Sequence, residues 1–351
     1  MSQITDLPAA MSQSTLVTVA RIIARALEAE YHIGPIPVLA SVGLDPGLLH
    51  DGELRLPVTG LSQLWLRCVE ITGDEHFGVR IARYISPSDL YGIDLTLYAS
   101  ATLGDAVRRF AEFLKLLTTV TEGHLQHEED GDWRLSYQLS GPRAPVDAAR
   151  DFFFYSQIHM FERQSQLPAR QFLRRLELVR SLPADPTSWQ ALGVPVMFAQ
   201  PQGSLVFRAD IWDRPMRGAN PHLLAKIEQP ILLSLARLGA ALPLGALKAR
   251  MADYLNESLS AEQFAEVLGV SADCLQRSLR EQQVSFAQLL NQTRQAQTLQ
   301  LLAMPDLTLD QISSRVGFRN TSSLIRAFRR WHGVTPLQYR KQSLALSQAG
   351  D

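Results

Sequence analysis

Residues 316–341, VGFRNTSSLIRAFRRWHGVTPLQYRK, leave this chain few choices. From Arg315 to Lys341 seven residues are basic (Arg315, Arg319, Arg326, Arg329, Arg330, Arg340, Lys341) and none is Asp or Glu, the footprint of a polyanion partner. Leu309, Ile312 and Val316 recur at helical spacing, Gly317 can turn with positive φ, and residues 320–323 are a cap-rich opening for the next helix. There Leu324, Phe328 and Trp331 make one apolar stripe, which leaves Thr321, Ser322, Ile325, Arg326, Arg329 and Arg330 on or near the other face. The spacing predicts a helix-turn-helix whose second helix presents its N-terminal side chains outward, as a reader of the DNA major groove must. Gly333, then Thr335 and Pro336, closes that helix and opens another over 337–341.

The same pattern occurs upstream. Residues 264–270 are followed by Ser271 as a cap and by a helix predicted over 272–282, with Leu275 and Leu279 on its stripe. Gly269 corresponds to Gly317, Leu275 to Leu324, Arg277 to Arg326, Arg280 to Arg329, and Val284-Ser285-Phe286 to Val334-Thr335-Pro336. An internal repeat of this kind is far more specific than one basic helical hairpin.

Carried by Gly317-Phe318, Leu324, residues 327–330, Gly333-Val334-Thr335-Pro336 and Tyr339-Arg340, residues 245–341 resemble the AraC/XylS family of transcription regulators. The resemblance implies one chain laying two helix-turn-helix units into successive major-groove segments, joined by a long helix, here 286–302. It places the base readers on Asp273, Gln276 and Arg277 in the first unit and on Thr321, Ser322 and Arg326 in the second. Chemically, Arg277 or Arg326 can pair with guanine O6 and N7, Gln276 with adenine, and Asp273 can accept from cytosine N4, each contributing about 1–3 kcal/mol of discrimination. Arg280, Arg329 and Arg330 are expected to bind phosphates. The first helix balances Arg277 and Arg280 against Asp273 and Glu281, whereas the second is uncompensated, so the second is read as the phosphate anchor and the first as the discriminating reader. Three residues depart from the family pattern: Gln283 where a helix-ending Gly is usual, predicting a strained exit turn, Arg319 where an acid is often found, and Leu324 where Phe is common.

A chain of 351 residues suggests two domains. Its net charge is only -1, but residues 246–341 carry twelve Lys or Arg against eight Asp or Glu, a balance of +4 that leaves -5 elsewhere. Cys68 and Cys274, far apart and without metal-ligand spacing, suit a reducing cytoplasm; no metal and no cofactor are expected. No signal peptide is evident, and the most apolar window, 231–247, is broken by Arg237, Gly239 and Pro243, so no membrane association is expected.

The predicted organisation is a loose tail over 1–15, a mixed α+β sensor domain over 16–238, a linker 239–245 (GAALPLG), an all-α domain with two helix-turn-helix units over 246–341, and a tail 342–351. In the first domain periodicity predicts helices near 16–31, 35–42, 57–69, 77–84, 91–100, 103–117, 146–166 and 221–238. Alternation predicts a hairpin, 119–127 with 132–139, and strands near 172–180, 194–198 and 204–208. Residues 98–106, Leu192-Gly193-Val194-Pro195-Val196, 210–215 and Asn220-Pro221 resemble the arabinose-binding-like effector and dimerisation domain of one AraC branch. That resemblance implies a small-molecule effector, association as a homodimer and contact with RNA polymerase, with an activating role; it identifies neither the effector nor its binding residues.

Other clusters have plainer readings. The run Phe152-Phe153-Phe154-Tyr155, with His159 and Phe161, could line a pocket, but core or dimer packing is favoured. His124 and His127 beside Glu128 and Glu129 are read as a solvated hairpin rather than a metal site, and the tryptophans as core or rim. No phosphate loop, nucleophile elbow or zinc-binding helix motif occurs, so no enzyme is expected. The alternative kept open is a DNA-bound enzyme or an architectural DNA-binding protein that needs no effector.

Overall fold

The computed structural model describes residues 13–348 apart from residue 51. The chain forms two compact units that divide between Ile231 and Leu232.

The first unit is α+β. It opens with β1 (Ser14–Leu16), α1 (Thr18–Tyr31), α2 (Pro35–Ser41), β2 (Arg55–Pro57), α3 (Val58–Thr72), α4 (Phe77–Ile81), α5 (Ile93–Tyr98) and α6 (Leu103–Leu117). The hairpin β3 (Thr121–His127) and β4 (Trp133–Leu139) follows, then α7 (Asp147–Ser165), α8 (Ala169–Phe172), β5 (Leu173–Glu177), α9 (Thr187–Gln190), β6 (Val196–Met197), β7 (Gly203–Phe207), α10 (Ala209–Trp212) and α11 (Pro221–Arg237), within which the division between the units falls. Strands β3-β4-β7-β5-β6 form one sheet, antiparallel except for the β5–β6 pair. Helix α6 begins where its chemistry requires: the Thr102 side chain accepts the Asp105 amide at 3.1 Å, and Leu103, Val107, Phe110 and Leu114 fall on the buried stripe.

Glu177, on β5, ties the sheet together. Its carboxylate accepts from Arg134, from Ser204 Oγ at 2.5 Å and from Arg175 Nε at 2.9 Å. Burial by itself would raise this carboxyl, but the three donors outweigh it and hold it at about 2. Because the folded value lies below the unfolded one, the contribution is complete above the ordinary carboxylate range and is lost as pH falls toward 2. Glu177→Gln is therefore expected to cost about 2 kcal/mol at neutral pH, after allowance for solvent screening, and almost nothing at pH ~2, read by urea titration of the full chain.

The second unit continues with α12 (Leu244–Ala252), α13 (Ala261–Leu268), α14 (Ala272–Glu281), α15 (Phe286–Leu302), α16 (Leu309–Arg315), α17 (Thr321–His332) and α18 (Pro336–Gln348). It is all α, as expected.

Three boundaries differ from the sequence reading. Of the tail expected over 1–15, residues 1–12 lie outside the described residues, but Ser14–Leu16 pairs with Arg55–Pro57 and the Ser14 amide donates to Thr119 Oγ1 at 2.9 Å. The run 239–245 is not an open linker: α12 starts within it, and buried Leu242 is pinned to α14. Its amide donates to Ser278 Oγ at 2.7 Å, and its carbonyl accepts from Gln282 Nε2 at 2.9 Å. The tail expected from 342 is helical to Gln348, and residues 349–351 lie outside the described residues. Helix 77–84 also changes character, becoming a 3-10 turn at Ala82–Tyr84.

Candidate nucleic-acid interface

The repeat seen in the sequence is repeated in the capping chemistry. Ser260 and Gln263 form a reciprocal capping box at the start of α13, and Thr308 and Gln311 form the equivalent box on α16. Ser271 accepts the Cys274 amide to open α14 at 3.1 Å, and Asn320 accepts the Ser323 amide to open α17 at 2.9 Å. Ser285 with Gln288 and Thr335 with Gln338 then start the helices that leave each unit. Each box satisfies amides that the helix cannot satisfy internally, so the two hairpins are held by the same local devices.

Between the paired helices stand Gly269 (φ 70°) and Gly317 (φ 75°). At Gly317 a side chain is excluded twice, since a Cβ there would also lie 2.5 Å from the Asn256 carbonyl oxygen. The first unit's exit turn has no glycine: Gln283 adopts φ 56°, the strain its sequence position predicted. Gln283→Gly should stabilise the C-terminal unit by about 1 kcal/mol and raise its melting temperature by about 4 °C in calorimetry.

Buried stripes aim the remaining faces outward. Leu275 and Leu279 on α14 are buried, which leaves Asp273, Gln276, Arg277 and Arg280 exposed. On α17, Leu324 and Phe328 sit in a core with Leu302, Ile312 and Val316, while Ser322, Arg326, Arg329 and Arg330 are exposed. Asp273, Arg277 and Arg280 share the rim of a depression of about 490 Å³ with Ser271. None of Arg277, Arg280, Arg326, Arg329 and Arg330 is in an ion pair with another described residue. Five guanidinium groups on two helices can therefore meet a polyanion without first breaking an ion pair inside the protein; Arg326 has only a hydrogen bond to Ser323 Oγ at 3.1 Å to give up.

Two of the residues singled out in the sequence also make bonds inside the unit. Thr321, half-exposed, donates to Asp310 at 3.0 Å and so ties α17 to α16. Arg340, counted in the basic run, is spent indoors, donating to the Leu302 carbonyl at 3.1 Å and to the Leu307 carbonyl at 2.8 Å. The residue that sequence reasoning missed is Arg294 on α15. Its Nη2 donates to the Asn256 carbonyl at 2.9 Å and to the Gly317 carbonyl at 2.8 Å, and its guanidinium lies 5.1 Å from the Phe318 ring centre. Burial pulls this group below its ordinary value. It joins the segment ahead of the first unit to the turn of the second. A lone cation on a helix otherwise rich in Gln and Leu was the only available signal.

In the first unit the histidine-rich hairpin holds no ligand set. The His127 ring packs on Trp133 at 4.8 Å, Glu128 is engaged by Arg134 and Arg175, and the described residues contain no group of His, Cys, Asp and Glu that could hold a metal. The aromatic run packs in the core, where Phe152, Phe154, Tyr155 and Phe161 are buried, and Phe152, Phe153 and Phe154 also line a cavity of about 700 Å³ between α1, α3, α6, α7 and β4. Tyr155 instead packs against Trp189, and its hydroxyl donates to the Ser188 carbonyl at 2.7 Å.

Two capped helical hairpins on one chain, each with an exposed basic second helix, define a helix-turn-helix protein that binds double-stranded DNA. Residues 264–342 match the model of a helix-turn-helix domain, and residues 33–216 match that of the arabinose-binding domain of AraC transcription regulator, N-terminal. The chain belongs to the AraC family of transcription regulators. It is 27% identical over 325 residues to an ornithine utilization regulator from Pseudomonas aeruginosa, covering 90% of this chain and 93% of that protein. It is 26% identical over 321 residues to the HTH-type transcriptional regulator VirS of Mycobacterium tuberculosis, covering 87% and 90%. The solved structure of the transcriptional regulator CdpR from Pseudomonas aeruginosa aligns with 19% identity and a TM-score of 0.49, covering 87% of this chain and 96% of that one. These domains and relatives are those of transcription regulators, not enzymes. Among the described residues no helix is long and apolar enough to cross a membrane.

Proposed function

We propose that this protein acts in the cytoplasm as an activator whose DNA binding is set by a small molecule held in the N-terminal unit. In this reading Asp273, Gln276 and Arg277 on α14 and Thr321, Ser322 and Arg326 on α17 read base edges, with Thr321 also bonded to Asp310. Arg280, Arg329 and Arg330 grip phosphates. The observation that carries it is the pair of equivalently capped hairpins, each facing solvent with unpaired arginines. The connecting helix α15 has 17 residues, about 26 Å of length, which suits two recognition helices in successive major-groove segments about one duplex turn apart. The N-terminal unit would associate the chains as a homodimer and bring the complex to RNA polymerase. Its cavity supports effector control over the effector-independent alternative.

The residue roles separate by salt. Arg329→Ala is expected to weaken binding to every duplex alike and to lower the slope of log affinity against log salt by about one. Arg326→Ala should instead lose about 1–3 kcal/mol on the preferred site, with specificity relaxed at one base pair. An unchanged slope for Arg329→Ala in fluorescence anisotropy titrations would remove it from the phosphate contacts. A molecule with two ammonium groups, such as ornithine, would need acidic partners in this cavity, and Asp89, the one acid on the wall among the described residues, is already paired with Arg25 at 3.0 Å.

A further inference from the structure

The cavity of the N-terminal unit has a wall chemistry that selects among ligands. Its lining is dominated by rings, Trp65, Phe110, Tyr137, Phe152, Phe153 and Phe154, together with aliphatic side chains from α1, α3 and α6. The polar side chains on the wall are largely consumed by the protein itself. Thr118 Oγ1 pairs with Thr15 Oγ1 at 2.9 Å, Thr121 donates to the Gln138 carbonyl at 2.8 Å, and Ser156 donates to the Phe153 carbonyl at 3.1 Å. The Tyr137 hydroxyl donates to Gln157 Oε1, and Gln157 Nε2 donates onward to the Phe153 carbonyl at 3.0 Å. Asp89 is held by Arg25. What remains is an apolar interior in which a zwitterion would lose its hydration and gain too few partners.

One charge on the wall is not committed to the interior. Among the described residues Arg150 is the only cationic side chain lining the cavity; it also reaches solvent, and its ion pair is a helical one with exposed Asp147, at 3.1 Å. Such a surface pair contributes little and yields readily to a better acceptor. We infer that the cavity is a binding site for a long-chain monocarboxylate, its hydrocarbon body among the α7 aromatics and its carboxylate on Arg150. The size agrees, because cavities of about 300–1,000 Å³ enclose ligands of this bulk. The inference rests on the reading of this unit as an effector domain and gives that effector a chemical class.

The test uses the full-length protein and straight-chain fatty acids from octanoate to octadecanoate, with the matching primary alcohols and lysine as controls, below their micelle-forming concentrations. Calorimetric titration should show affinity for the acids rising about fourfold per added methylene until the cavity is full. Arg150→Gln should weaken the acids about tenfold or more while leaving the alcohols within about twofold. Ala149→Trp, which fills the cavity from the same helix, should weaken both series; thermal melting checks that each variant folds. No binding of any acid, affinity independent of chain length, an unaltered acid affinity in Arg150→Gln, or displacement of the acid by lysine would each overturn the assignment. DNA titrations separate the two levels: acids that bind without changing DNA affinity sustain the site and refute effector control. Failure of the acids, alongside another metabolite that does change DNA affinity, refutes the site and sustains effector control.

Discussion

Gly317→Val is expected to remove specific DNA binding while leaving the N-terminal unit folded. The residue stands at φ 75°, and a Cβ there would meet the Asn256 carbonyl oxygen at 2.5 Å, a backbone atom that cannot swing aside as a side chain could. A β-branched residue adds the left-handed penalty of about 1–2 kcal/mol to that overlap, and the sum reaches about 4 kcal/mol. Calorimetry should show the C-terminal transition falling by more than about 10 °C. Affinity for the operator should drop by about a hundredfold or more, since docking would first have to restore the turn that aims α17. Gly269→Val is the informative partner: it shares the positive φ at 70° but belongs to the first helix-turn-helix, so its loss should fall on the contacts of α14. A Gly317→Val protein that melts and binds as the parent does would show that the Asn256 segment yields, and that the turn does not set the angle of α17.

Arg294→Met should destabilise the same unit by about 2 kcal/mol without touching the DNA-facing surface. Methionine keeps the stem and its packing near Phe318 but strips the donor from the Asn256 and Gly317 carbonyls. Amide exchange around 317–319 should accelerate, and DNA affinity should fall for all sequences alike with the salt slope unchanged. That unchanged slope distinguishes it from Arg329→Ala, which is expected to lower the slope and to leave stability unaltered. Arg294→Lys, a single ammonium in place of a planar fork, should recover only part of the loss.

The C-terminal unit was legible because its determinants are local. Caps, turn glycines and apolar stripes lie within a few residues of the helices they specify, so α14, α16 and α17 follow from the sequence pattern, while the bounds 286–302 for α15 and the unusual turn at Gln283 rest on the family resemblance. Arg294 and Arg340 were not legible for the same reason: their partners are 38 and 38 residues away, respectively, at Asn256 and Leu302, and nothing near them in sequence distinguishes a cation bound to carbonyls from one facing solvent. Ser14–Leu16 escaped because a strand of three residues carries no measurable alternation, and its partner Arg55–Pro57 is equally short. The burial of Phe152 and Phe154 was legible, but not the hollow beside them, because consecutive aromatics on a helix look alike whether the space before them is filled or empty; only the arrangement of α1, α3, α6 and β4 decides that.

The anchoring of Leu242 changes how the junction between the halves should be pictured. Both its amide and its carbonyl are bonded to α14, through Ser278 and Gln282, and Ala236 on α11 borders the depression that holds Arg277 and Arg280. The run after α11 is thus a short rein fastened to α14 inside the C-terminal unit, and not a free tether. Slack spliced in at Gly239 would let that rein go loose.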